Sequence, residues 1–122
     1  MRPYDYALIR CVDVATGDAR TIGVVLSCRQ ARFLGVRFVD GTPAADALGL
    51  DPDLLSRSVR AFVEVANGGH AAGPVGRLPD SERFHFLTAT RSTSLQPSSV
   101  HTGLADDPEA ALDRLEAQAL RP

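Results

Sequence analysis

The chain has 122 residues, 44% of them apolar and 23% charged, with a formal net charge of −2. That length holds one hydrophobic core, and the composition argues against a disordered or membrane-resident chain, so a single domain over residues 1–122 is expected. The acidic balance disfavours general attraction to a phosphate backbone, so nucleic acid is not expected as a partner. No apolar run approaches the roughly 18 to 20 residues that span a bilayer, and MRPYDYALIR lacks the apolar core of a signal peptide. A cytoplasmic protein is the expectation. All basic residues are Arg, which removes Schiff-base lysines and the phosphate-binding lysine of a P-loop. Two cysteines, Cys11 and Cys28, do not make a disulfide framework.

In chain order, YDYALIRCVDV at 4–14 and RTIGVVLSC at 20–28 are rich in β-branched and aromatic residues and flank the turn-like ATGD, which predicts a hairpin. RFLGVRFV at 32–39 follows after a three-residue loop and completes an antiparallel meander. If Cys28 pairs with Arg32, alternation groups Ile22, Val24, Leu26 and Cys28 with Leu34, Val36 and Phe38 on one face, joined by Ala7, Ile9 and Cys11. The opposite face then carries Tyr4, Tyr6, Leu8, Val12 and Val25.

A short helical turn is possible at 43–49, and a helix is predicted over 52–66. Asp51 is its N-cap, Pro52 takes the first helical position, and Asn67-Gly68-Gly69 ends it. Leu55, Val59, Phe62 and Ala66, widened by Leu54 and Val63, form its apolar stripe. Residues 67–81, with four glycines and two prolines, predict a surface loop. RFHFLTAT alternates Phe84 and Phe86 with His85 and Leu87 and predicts a fourth strand, with an irregular fifth within Ser92–Ser99. Asp107-Pro108 opens a last helix carrying Leu112, Leu115 and Ala119. The fold class is therefore α+β: an antiparallel sheet of four to five strands with two main helices, mainly on one face.

The chemistry-bearing residues are few. His70, His85 and His101 are far apart and neither cysteine lies in a C-x-x-C pair, so no metal is expected. The glycines at 68, 69, 73 and 76 match neither dinucleotide nor P-loop fingerprints, and no cofactor is expected. Arg29, Arg32 and Arg37 could gather into an anion-binding patch, or stand as solvated hairpin residues. The segment RSTSLQPSSVHTG at 91–103 is unusually polar. Its Arg91, Ser92, Thr93, Gln96, Ser98, His101 and Thr102 are the candidate binding residues, with backbone satisfaction in irregular turns as the competing explanation.

YDYALIRCVDV, TIGVVL, RFLGVRF and RFHFLTATRSTSLQPSSVHTGLADDPEAALDRL together resemble the bacterial family called domain of unknown function 3037, over nearly the whole chain. Where that family usually has an acidic residue followed by Asn-Ile-Gly or Asn-Val-Gly, Ala19-Arg20-Thr21-Ile22-Gly23 keeps only the glycine and its apolar neighbours. The resemblance implies no reaction, cofactor or catalytic residue. It implies a partner, because members are often encoded beside kinases resembling HipA.

Two function classes follow. The first is a non-enzymatic accessory or regulatory protein, a kinase subunit or a homodimer, using the face of Tyr4, Tyr6, Leu8, Val12 and Val25. The second is a small enzyme or ligand-binding domain with an anionic-ligand site on Arg91–Gly103. A pocket joining Arg91 and His101 to an acid would favour the second, and a flat surface the first.

Overall fold

The computed structural model describes residues 1–89 and 94–120. Three long strands open the chain: β1 (Arg2–Val12), β2 (Ala19–Cys28) and β3 (Phe33–Phe38). Helices α1 (Thr42–Leu48) and α2 (Pro52–Asn67) follow, then tight turns over His70–Arg77 and helix α3 (Asp80–Thr88). Two short strands, β4 (Leu95–Pro97) and β5 (His101–Ala105), precede helix α4 (Pro108–Ala119). The sheet is antiparallel in the order β3-β2-β1, with β4 and β5 both paired to the free side of β1. This is the expected α+β fold, meander first, but its two main helices, α2 and α4, lie on opposite faces of the sheet rather than on one.

β2 is apolar at almost every position from Ile22 to Cys28 and is buried throughout that run, as suits a strand covered on both faces. On one face Ala7, Ile9, Cys11, Ile22 and Val25 pack with Leu34, Val36 and Phe38 beneath α1, α2 and α3. On the other, Val24, Leu26 and Cys28 pack with Tyr4, Tyr6, Leu8 and Phe33 beneath α4 alone.

The single-stripe assignment is corrected at two places. The loop after β2 has four residues rather than three, because Arg32 adopts a left-handed conformation (φ 50°, ψ 46°), and Cys28 pairs with Phe33. A one-residue change of register turns every β3 side chain over, so Leu34, Val36 and Phe38 leave the face of Val24, Leu26 and Cys28. Between β1 and β2, Ile9 pairs with Gly23 and Arg10 with Thr21, leaving Ile22 as a bulge residue that joins Ile9 in the α2 core. Gly23 is required beside it: a Cβ there would collide with the Phe38 ring. The set Tyr4, Tyr6, Leu8, Val12 and Val25 is divided likewise, since Val25 opposes Ala7 and is buried under the α2 side.

Capping explains the helix boundaries. The Asp51 carboxylate accepts the Asp53 N–H at 2.9 Å and Asp107 accepts that of Glu109 at 3.0 Å, each with Pro in the first helical position. Phe62 of α2 meets Phe38 edge to face at 5.5 Å. Leu54 points outward and does not widen that stripe. On the far side Leu112 of α4 lies over Gly35, where a Cβ would come within 2.7 Å of its Cδ2.

RFHFLTAT is not a strand. Its residues Arg83–Thr88 belong to α3, whose buried residues Arg83, Phe84 and Leu87 recur at helical spacing while His85 and Phe86 are exposed. Asp80 and Glu82 place negative charge in its first turn. Phe84-His85-Phe86 imitates a two-residue period over three residues, and that window is too short to separate the two periods.

Candidate functional site

From Leu95 onward the polar segment forms the outer edge of the sheet. Leu95–Pro97 pairs with Ile9–Cys11 of β1, and His101–Ala105 pairs with Arg2–Tyr6. The two short strands are one edge interrupted at Ser98–Val100. Leu8 faces that interruption, and Ser98 repairs it twice: its N–H donates to the Leu8 carbonyl at 2.7 Å, and its Oγ accepts the Leu8 N–H at 2.9 Å. The same hydroxyl donates to the Ser99 carbonyl at 2.9 Å. Ser98 therefore holds backbone, and its role is explained without a ligand.

Of the other predicted residues, Arg91, Ser92 and Thr93 lie outside the described residues. Gln96 stands opposite Arg10, and His101 opposite Tyr6, with the His101 and Tyr6 rings 5.4 Å apart. Their β1 partners are four positions apart, or about 13 Å at roughly 3.3 Å per residue, so Gln96 and His101 do not converge on one small ligand. Thr102 opposes Asp5 and points to the opposite face from His101.

The register brings together two sets that the sequence kept apart. Tyr6, Leu8 and Val12 are alternate residues of β1 on the α4 side of the sheet, and Gln96 and His101 flank them on the same side. Helix α4 packs over β2 and β3, leaving these outer strands half covered. Tyr4 is only 9% exposed and belongs to the core beneath α4. What remains open is a strip of Tyr6, Leu8, Arg10, Val12, Gln96 and His101: half-buried apolar residues of β1 interrupted by Arg10, with Arg10 and His101 exposed.

The sequence profile of the family described as "Protein of unknown function (DUF3037)" matches residues 6–120, which spans this strip and both of its flanking cores. The chain belongs to DUF3037. No curated protein and no solved structure matches it.

In this DUF3037 chain the three hairpin arginines do not form one patch. Arg37 turns to α4 and pairs with Glu109 at 3.1 Å, Asp113 at 3.2 Å and Glu116 at 3.5 Å. Arg29 and Arg32 stay exposed beside a shallow recess that Pro79, Asp80 and Ser81 also line. Among the described residues, no group of three His, Cys, Asp or Glu side chains is placed to hold a metal, and no helix is long and apolar enough to cross a membrane.

Sequence reading missed Arg83. Its Nε donates to the Leu78 carbonyl at 2.9 Å, one terminal nitrogen to the Val65 and Ala66 carbonyls at 3.1 and 2.6 Å, and the other pairs with Asp80. A buried guanidinium thus closes the C-terminus of α2 and fixes the glycine-rich turns. No sequence signal marks it, because Arg83 opens the RFHFLTAT run whose alternation predicts a strand. Cys11 and Cys28 are free and buried in opposite cores, and burial raises the Cys11 thiol above its ordinary value of 9.0.

Proposed function

We propose that this DUF3037 protein is a non-enzymatic interaction protein that binds a protein partner through the half-open strip beside α4. The observation that carries the reading is the register that sets Tyr6, Leu8 and Val12 beside Gln96 and His101 on one side of the sheet. A strip of half-buried apolar and aromatic residues, interrupted by the exposed Arg10 and bordered by Gln96 and His101, has the mixed make-up of a protein contact surface, where aromatic residues and Arg are enriched. Gln96, Ser98, His101 and Thr102 are strung along the outer edge of the sheet rather than folded round a cavity, which suits a partner's surface better than a small anionic ligand.

The family resemblance supplies the partner class, a kinase resembling HipA, with this chain as its accessory or regulatory subunit. The test is co-expression of the chain with the HipA-like kinase of its own host, followed by size-exclusion chromatography. A stoichiometric complex is expected, weakened at least tenfold by Arg10→Glu or His101→Ala with unchanged melting of the isolated chain. No complex, or one indifferent to both substitutions, would overturn the assignment.

A further inference from the structure

The outer side of β5 points to a second interface, along the backbone edge of a strand that contributes only His101 to the strip. β5 pairs with β1 in an unbroken register from Arg2 opposite Ala105 to Tyr6 opposite His101, and among the described residues no strand pairs with its other side. Protein edges are normally guarded by a lysine, a proline, a bulge or an inward charge. β5 has none of these, and the chain carries no Asp, Glu, Lys or Arg from Ser98 to Ala105. Apolar side chains flank the open edge: Leu104 is 60% exposed and Val100 46%.

We infer that β5 pairs with β5 of a second copy of this chain, antiparallel about a two-fold axis at Gly103. Identical antiparallel strands are self-complementary, so one contact satisfies both edges and closes the assembly as a dimer instead of propagating a fibre. Of the possible registers, the one centred on Gly103 pairs all five β5 residues. It sets Leu104 against Thr102 of the second copy and His101 against Ala105 of the second copy, with no like charges opposed.

The side chains permit it. Gly103 brings no side chain of its own to the axis, and the place a Cβ would take is filled by the Tyr4 ring of its own chain, whose ring carbon and hydroxyl would lie 2.5 Å away. On the opposite face Thr102 and Leu104 project outward and would form a four-membered cluster across the axis. The sheet would then run β3-β2-β1-β5 and continue through the second copy in mirror order. The interface is narrow, so association should depend on protein concentration.

Sedimentation equilibrium of the full chain tests this. The wild type should move from 13.0 kDa towards twice that mass as concentration rises. Thr102→Lys with Leu104→Lys places lysines opposite one another across the axis and should abolish association. Thr102→Lys with Leu104→Glu sets opposite charges in the same positions and should restore it. Amide exchange of wild-type His101–Ala105 should slow with concentration, a readout that needs no variant to fold. A monomeric wild type, a dimer unaffected by the paired lysines, failure of the Lys/Glu pair to associate, or concentration-independent exchange would each overturn the proposal. Because no kinase enters the experiment, its outcome is separate from that of the partner assignment.

Discussion

The guanidinium of Arg83 donates to the Ala66 carbonyl at 2.6 Å, tying the first turn of α3 to the last turn of α2 across the glycine-rich segment. Helix ends leave carbonyls without intrahelical partners, and here a buried cation from another helix supplies the donors. Arg83→Met should strand the Ala66 and Leu78 carbonyls, while the Val65 carbonyl keeps the Gly68 N–H, and cost roughly 1.5–3 kcal/mol, the range for hydrogen bonds to a charged group. Thermal melts should fall by several degrees, and Arg83→Lys should recover only part of the loss, since an ammonium cannot reproduce the planar fork. Equal melting of Arg83→Met and wild type would remove the cap from the account.

Ser98→Ala deletes the acceptor for the Leu8 N–H while leaving the Ser98 N–H bond to the Leu8 carbonyl in place. The expected cost is about 1–3 kcal/mol for an unsatisfied, partly buried donor. Amide exchange is the direct check: Leu8 should lose protection while Val25, deep in the sheet, keeps it. Unchanged exchange at Leu8 would show that the hydroxyl is not its partner in solution.

Because the sheet has two cores, substitutions on either side should unfold the domain independently. Val24→Asp buries a charge under α4, and Leu112→Ala should cost roughly 2–5 kcal/mol as a cavity on the same side. Phe62→Asp acts on the α2 side through Phe38. Denaturant melts should show loss for all three. A tolerated Val24→Asp would contradict the position of α4.

Cys11 and Cys28 lie in opposite cores and cannot meet. Intact mass after alkylation without reductant should show two modified thiols in denaturant and little modification of the native chain. Burial raises the Cys11 thiol, so the folded state favours its neutral form. The stabilising effect is full below the ordinary thiol value of 9.0 and is lost as pH rises through the higher folded value. The fall in stability above pH 9.0 should therefore be shallower in Cys11→Ala than in wild type. Parallel curves would rule out this linkage.

The sequence by itself determined the meander, both capped helices and the family. Each rests on a local signal: a two-residue apolar period, an Asp-Pro cap, a glycine stop, or a run of matching residues. It could not determine which face each strand presents, because one left-handed residue at Arg32 and one bulge at Ile22 each reverse the alternation that follows, and neither changes composition. α3 escaped for a related reason: four residues of Phe-His-Phe-Leu fit either period until the Phe84 and Leu87 contacts choose the helix. The strip beside α4 was legible only in pieces. Tyr6, Leu8 and Val12 are ninety residues from the polar segment in the chain, and what places them beside Gln96 and His101 is the return of that segment to the free side of β1, a long-range pairing that only the tertiary structure decides.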